Sequence, residues 1–87
     1  MNTFELIITT PDGHVFRDQV QCLSLRGADG DLAVMAGHVP LMTSVKPGEI
    51  IIQSGEDSIR VGAVQGGLLS VAKDAVTLLA ADFSWKE

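Results

Sequence analysis

The sequence predicts an all-β domain, a flattened antiparallel β-sandwich or barrel of about eight to ten short strands. Turn residues recur about every eight to twelve positions along the 87-residue chain. Between the turns, apolar residues alternate with polar ones, which is the period of a strand and not of a helix. No linker, repeat or low-complexity tract divides the chain, so residues 1–87 are predicted to form one domain.

The N-terminal half contains four predicted strands. In the first, Phe4, Leu6 and Ile8 share one face, as expected for a strand with one buried side. Pro11 presets the φ angle of a turn and Gly13 accepts a positive φ, so the chain is expected to reverse there into a hairpin. The predicted strands cover residues 4–9, 14–16, 20–25 and 32–35.

Two loops are predicted between these strands and the second half. The glycine-rich segment 27–31 is interpreted as a loop too flexible for regular structure. After it, Pro40 breaks the pattern because it cannot donate to a strand ladder. Apolar residues in this proline-broken segment are expected either to tuck inward or to face a partner.

The C-terminal half contains four further predicted strands. They cover residues 50–53, 59–63, 68–72 and 75–81, and the last two are joined at Lys73 and Asp74. In the strand at 59–63, Ile59, Val61 and Ala63 form the apolar set, which predicts one buried and one wet face. The pair at 66–67 is expected to mark a bulge or a close approach of two backbones.

Composition excludes several classes of function. Six basic and eleven acidic residues give a formal charge of −5, which repels phosphate backbones and argues against nucleic-acid binding. The single cysteine, Cys22, has no second thiol for an intrachain disulfide or a metal pair. No stretch reaches the length needed to span a bilayer, so direct membrane insertion is not expected.

No constellation of side chains predicts catalysis, a metal site or a cofactor. The imidazoles are His14 and His38, and neither is accompanied by the pattern of a nucleophile and its base. Asp29 and Asp31 lack the further oxygen ligands of a calcium loop. We therefore expect a protein that acts by binding other proteins.

Two alternatives come from other classes. Lys73 lies at a predicted hairpin apex between apolar strands, the position at which carrier domains present a biotinyl or lipoyl arm. Its neighbours lack the methionine or acidic residues typical of such domains, so a solvated turn lysine is the favoured interpretation. The other alternative is a free-standing sandwich adaptor.

Three motifs occur in order: Gly-Asp-Leu at 30–32, Gly-His-Val-Pro-Leu-Met-Thr at 37–43 and Lys-Pro-Gly at 46–48. Together they resemble the N-terminal β-sandwich of the epsilon subunit of bacterial and chloroplast rotary ATP synthases. A glycine-containing strand entry at 64–69 and a last strand at 76–80 extend the resemblance over nearly the whole chain. The chain departs from the family pattern at Arg26, Ala33, Ala36 and Gln65.

The resemblance implies a non-catalytic rotor subunit that joins the gamma subunit to the membrane-embedded c-type ring. Residue by residue, it implies that Ala28, Asp29 and Asp31 face the ring. Four residues are implied to lie toward gamma, and these are Thr10, His38, Met42 and Thr43.

The resemblance also implies where the protein is located and which functions of longer family members are not expected of it. The protein is expected to be peripheral, on the cytoplasmic face of the bacterial inner membrane or the stromal face of the thylakoid. Family members usually continue into a helical pair that can restrain ATP hydrolysis. This sequence stops at residue 87, so we expect coupling without that inhibitory arm and without bound nucleotide.

Overall fold

The computed structural model describes residues 2–73 and 75–86, which form ten strands and confirm the all-β prediction. Met1, Asp74 and Glu87 lie outside the described residues, so the predicted joint at Lys73 and Asp74 is described only in part. The strands are β1 (Phe4–Thr10), β2 (Gly13–Val20), β3 (Cys22–Gly27), β4 (Gly30–Met35), β5 (Leu41–Val45), β6 (Gly48–Gly55), β7 (Ser58–Val64), β8 (Gly67–Val71), β9 (Ala75–Ala80) and β10 (Phe83–Trp85).

The strands follow one another in the order β10, β7, β6, β3, β5, β8, β9, β1, β2, and β4 pairs with β3 alongside this path. Every ladder between described strands is antiparallel except that between β1 and β9, which is parallel. The sheet turns a corner at β3, whose first residues pair with β6 and whose last residue, Gly27, pairs with Val45 of β5.

The two ends of this sheet meet through aromatic side chains. Phe16 of β2 lies edge-on to Trp85 of β10, with ring centroids 5.8 Å apart. Trp85 also makes an edge contact with Phe83 at 4.8 Å, and the guanidinium of Arg60 lies 3.6 Å from the centre of its ring. Side-chain packing therefore closes the flattened barrel where backbone pairing stops.

The core lies between the two halves of the sheet and consists of aliphatic side chains. Aliphatic residues fill it because β-branched and leucine side chains pack well on a pleated surface. The buried residues are Leu6, Ile8, Val20, Leu23, Leu25, Val34, Val45, Ile50, Ile52, Val64, Leu69, Val71, Val76, Leu78 and Ala80.

Several local predictions are confirmed. Leu6 and Ile8 of β1 are fully buried, and Phe4 packs against the same core. The predicted turn at residues 11–13 connects β1 to β2, and Gly13 takes a φ of 123°, which is a conformation that favours glycine. Strand β2 is much longer than predicted, since it runs on to Val20.

Two predictions about the middle of the chain are wrong. The segment 27–31 is regular structure: Gly27 ends β3, Gly30 begins β4, and only two residues form the turn between them. The segment after Pro40 is also a strand, β5, because it pairs with β8 along its whole length. The proline itself precedes this strand, where its missing N–H costs no ladder bond.

The strand predicted at residues 59–63 exists as β7, but its buried face is the opposite one. Ile59 is 57% exposed, whereas Gly62 and Val64 are buried. Glycine is required at 62 because a Cβ atom there would lie 2.5 Å from Cζ of Phe83. The aromatic side chains of β10 thus cover this face and leave Ile59 outside.

The predicted close approach at residues 66–67 is confirmed. A Cβ atom on Gly67 would run into the carbonyl oxygen of Leu79 on the neighbouring strand β9. Gly66 has a φ of 129°, and its carbonyl accepts a hydrogen bond from the N–H of Ala81 at 3.0 Å. These two glycines allow β8 to begin directly against the end of β9.

Candidate protein-binding surfaces

The half of the sheet formed by β5, β8, β9, β1 and β2 has an outward surface, which we call the first outer face. Cross-strand pairing aligns its side chains in rows. One row is Met42, Ser70, Thr77, Ile7 and Arg17, and the next is Ser44, Leu68, Leu79, Thr9 and His14.

Apolar side chains stand out on this face. Met42 is 68% exposed, Leu79 is 49% exposed and Leu68 is 37% exposed. Leu68 and Leu79 are directly paired across β8 and β9, so they form one continuous apolar patch. Large apolar residues held outward on a rigid sheet are the usual material of a protein-binding surface.

A shallow groove of about 470 Å³ adjoins these leucines at one end of the first outer face. Its walls are mostly apolar, which suits an apolar side chain of a partner. The lining residues are Thr9, Thr10, Pro11, Gly67, Leu68, Leu79, Ala80 and Ala81.

Of the four predicted gamma-contact residues, Met42 lies in the rows of the first outer face. Thr10, the last residue of β1, belongs to the alternate set that contains buried Leu6 and Ile8, but it lines the groove at the end of this face. Thr43 does not share the face, because it is paired with buried Leu69 and its side chain approaches Gly27. His38 lies in the loop between β4 and β5, half-buried, with its ring Nδ1 2.7 Å from the carbonyl oxygen of Val39.

The three predicted ring-contact residues lie together at the tip of the β3–β4 hairpin. Ala28 and Asp29 are the two exposed turn residues, and Asp31 follows on β4. The Asp31 carboxylate is paired with Arg26 across the hairpin, with 3.6 Å between Nε and Oδ1. Both side chains are largely exposed, at 63% for Arg26 and 90% for Asp31, so this ion pair contributes little stability.

Sequence reasoning missed a second exposed apolar surface, on the outward side of β4, β3, β6 and β7, which we call the second outer face. Met35 is 59% exposed, Ile59 57% and Ile51 44%. The sequence pattern assigned Ile59 to the core, so only the observed register could place it here. A groove of about 540 Å³ lies beside Ile51 and the base of the hairpin.

No arrangement typical of chemistry accompanies these surfaces. Within residues 2–73 and 75–86, no three His, Cys, Asp or Glu side chains come close enough together to hold a metal ion. His14 is exposed, with its Nδ1 3.1 Å from the hydroxyl of Thr9, and Cys22 is half-buried beside Ser24. In the same described ranges we find no helix with the length and hydropathy that crossing a bilayer requires.

Comparison with known proteins places these surfaces in a family context. Residues 3–86 match the model of the family "ATP synthase, Delta/Epsilon chain, beta-sandwich domain". The chain is 34% identical over 87 residues to the ATP synthase epsilon chain of Caldicellulosiruptor saccharolyticus, covering 100% of this chain and 63% of the relative. It is 38% identical over 80 residues to the ATP synthase epsilon chain of Bacillus pumilus, covering 92% of this chain and 60% of the relative.

Two solved structures share the fold. A chain in the cryo-EM structure of the Euglena gracilis mitochondrial ATP synthase, OSCP/F1/c-ring, superposes with a TM-score of 0.89 at 19% identity, covering 95% of this chain and 53% of that one. A chain in the Tetrahymena thermophila mitochondrial ATP synthase central stalk/c-ring gives a TM-score of 0.81 at 13% identity, with coverages of 95% and 66%. The chain therefore spans less than two thirds of the length of these relatives.

Proposed function

Because this chain belongs to the ATP synthase delta/epsilon family, as its β-sandwich domain, we propose that it is a non-catalytic subunit of the central stalk of a rotary ATP synthase. In this role it binds the gamma subunit through the first outer face. Its hairpin tip at Ala28, Asp29 and Asp31 rests on the loops of the membrane ring. The subunit thereby fixes ring to shaft, so that proton flow through the ring turns both together.

The observation that carries this proposal is the exposed apolar patch of the first outer face. Leu68 and Leu79 lie on strands paired on both sides, and Met42 pairs with Ser70 on the neighbouring strand, so these side chains are preorganised and lose little entropy on binding. Burying apolar area contributes about 25 cal/mol per Å². A rigid apolar face of this kind can bind the gamma subunit through burial of apolar area alone.

The hairpin tip suits a different task. Asp29 is exposed, and Asp31 is largely solvated despite its pairing with Arg26. Exposed charges of this kind add only about 0–1 kcal/mol of affinity, but they guide encounter and set the register between surfaces. We therefore assign the tip to alignment on the ring and the apolar face to binding strength.

The first experiment tests the gamma contact with a matched pair of substitutions. Met42→Asp places a charge on the first outer face, whereas Ile59→Asp makes the same change on the second, at 57% exposure against 68%. In a pull-down with purified gamma, we expect Met42→Asp to weaken binding at least about tenfold, equivalent to about 1.4 kcal/mol. Ile59→Asp is expected to bind as the unchanged protein does.

Both variants keep the core intact, so circular dichroism should show the same folded sheet. Equal binding by the two variants, or selective loss with Ile59→Asp, would mean that gamma does not use the first outer face. Failure of the untagged chain to copurify with gamma and the membrane ATPase would refute the rotor role altogether.

The family match leaves the carrier hypothesis for Lys73 without support. The Lys73 side chain is exposed next to a turn closed by the N–H of Ala72 and the carbonyl of Ala75, at 2.9 Å. An intact-mass measurement of the protein from its native host checks this directly. We expect the unmodified mass, and a biotinyl or lipoyl adduct on Lys73 would restore the carrier hypothesis.

Assembly on the ring also determines where the protein lies relative to the membrane. The protein is peripheral to the coupling membrane, on the side that carries the catalytic head, and it uses no cofactor of its own.

A further inference from the structure

Strand β4 has a free edge in the described part of the chain. It pairs with β3 along all of its residues and with no other described strand. Gly27 and Gly30 flank a two-residue turn and so form the hydrogen-bonded pair that closes a tight hairpin. Pairs alternate along an antiparallel ladder, so Asp31, Ala33 and Met35 direct their backbone N–H and C=O groups away from β3.

These edge groups are nearly all available. The carbonyl of Met35 accepts one hydrogen bond, from the N–H of His38 at 3.1 Å, and a carbonyl oxygen can accept a second. The side chains of Asp31, Ala33 and Met35 are all exposed on the second outer face.

The two ends of the strand order, β2 and β10, are less suited to edge pairing than β4. Strand β2 carries an irregularity in its pairing next to Ile8 and the exposed charges of Arg17 and Asp18, features that disfavour edge pairing. Strand β10 is only three residues long, and its Trp85 packs on Phe16 of β2. In contrast, β4 pairs with β3 without a register irregularity, is six residues long and is mostly apolar.

We propose that β4 is a self-association edge, at which two copies of this chain pair antiparallel about a two-fold axis through Ala33. In that register Ala33 faces its own copy, Leu32 faces Val34 of the other copy, and Asp31 faces Met35. The residues brought into hydrogen-bonding pairs are the same three whose backbone groups point outward, giving about six new backbone bonds. Shifting the register by two residues in either direction pairs fewer of them.

The side chains agree with this register. The small, uncharged Ala33 lies at the axis, where two like charges directly opposite each other would be destabilising. The two copies of Asp31 lie about 14 Å apart, four residues along the strand. That separation exceeds the screening length of about 8 Å at physiological ionic strength, so their repulsion is weak. The opposed apolar pairs extend the core side of the sheet across the axis.

Net charge gives the association a characteristic salt dependence. Each copy carries a formal charge of −5, so the whole molecules repel one another even though the paired edges do not. Salt screens this repulsion while leaving the backbone hydrogen bonds intact. We expect a weak dimer that strengthens as ionic strength rises, the reverse of association driven by opposite charges. The test uses the isolated chain, so its outcome does not depend on the rotor role proposed above.

The test is sedimentation velocity of the purified chain from low micromolar to millimolar concentration, at low and moderate salt. We expect a monomer–dimer equilibrium that shifts toward dimer with salt. Amide hydrogen exchange at Asp31, Ala33 and Met35 should slow as the dimer forms. A monomer at every concentration and salt condition would overturn the proposal.

Two substitutions at the axis and one control locate the contact. Ala33→Pro removes an outward N–H that the β3 ladder does not use, and Ala33→Lys places two like charges opposite each other. Ser84→Lys makes the same change of charge on the exposed outward side of β10, at the far end of this half of the sheet. We expect loss of the dimer with both Ala33 variants and its retention with Ser84→Lys.

The outcomes are distinguishable. A dimer that survives both Ala33 substitutions, or that Ser84→Lys dissolves equally, refutes pairing at β4. A dimer that only Met42→Asp dissolves shows association through the first outer face and likewise overturns the inference. Thermal unfolding of each variant confirms that it remains folded, and Ala33→Lys serves as the informative variant where the proline substitution fails to fold.

Discussion

Replacing Trp85 by alanine should open the flattened barrel at the seam between its two ends. Trp85 makes edge contacts with Phe16 and Phe83, at 5.8 Å and 4.8 Å, and stacks with Arg60 at 3.6 Å. Each aromatic pair contributes about 0.5–1.5 kcal/mol beyond its buried area, and an exposed cation–π contact about 0.5–1 kcal/mol. We expect Trp85→Ala to lower the free energy of unfolding by about 2–4 kcal/mol, because these contacts are lost together.

The assay is urea unfolding followed by far-ultraviolet circular dichroism, since the substitution removes the fluorescent side chain. A loss of this size is a large fraction of the about 5 kcal/mol expected of a small domain, so the midpoint should move visibly. Trp85→Phe is the control: it keeps an aromatic edge against Phe16 and should cost less than half as much. A change below about 0.5 kcal/mol for Trp85→Ala would refute closure by this cluster.

Three further substitutions test the packing and the surface. Gly67→Ala should destabilise the fold by about 1–3 kcal/mol, since its Cβ atom collides with the backbone of Leu79; an unchanged thermal midpoint would contradict this. Ile52→Ala, at a fully buried site, should cost about 2–5 kcal/mol, whereas Ile51→Ala, 44% exposed on the same strand, should cost far less; equal losses would show that the strand faces are misassigned. Arg17→Ala breaks an ion pair of 2.9 Å on the exposed side of β2 and should change the unfolding free energy by less than about 1 kcal/mol, so a larger loss would reveal a network at this site.

The exposed surfaces differ in how far the sequence could predict them. Met42 and the hairpin tip were found through the resemblance of short motifs, which carry family information residue by residue. The patch formed by Leu68 and Leu79 was not predicted, because both belong to apolar runs in which either alternate set could face the core. The sequence also does not predict the free edge of β4, because the residues of one strand do not show which other strands pair with it.

Local sequence patterns are enough to predict the class of fold and the position of most turns. Pro11 and Gly13 specify their reversal through fixed and positive φ angles, which act within a few residues. Phe4, Leu6 and Ile8 form an alternate set that is wholly apolar, whereas the other set includes Glu5 and Thr9, and this local difference predicts the buried face of β1.

Which side of β7 is buried, and how the barrel closes, depend on contacts between residues that are distant in sequence. In β7 the alternate set Ile59, Val61 and Ala63 is the more apolar one, so the local pattern favours the face that the structure leaves outside. The aromatic residues of β10 override this pattern: Phe83 occupies the space above Gly62, and Ile59 is left in solvent. Because those aromatic residues come from a strand distant in sequence, the period of the pattern could identify a strand but not the side that the rest of the chain would cover.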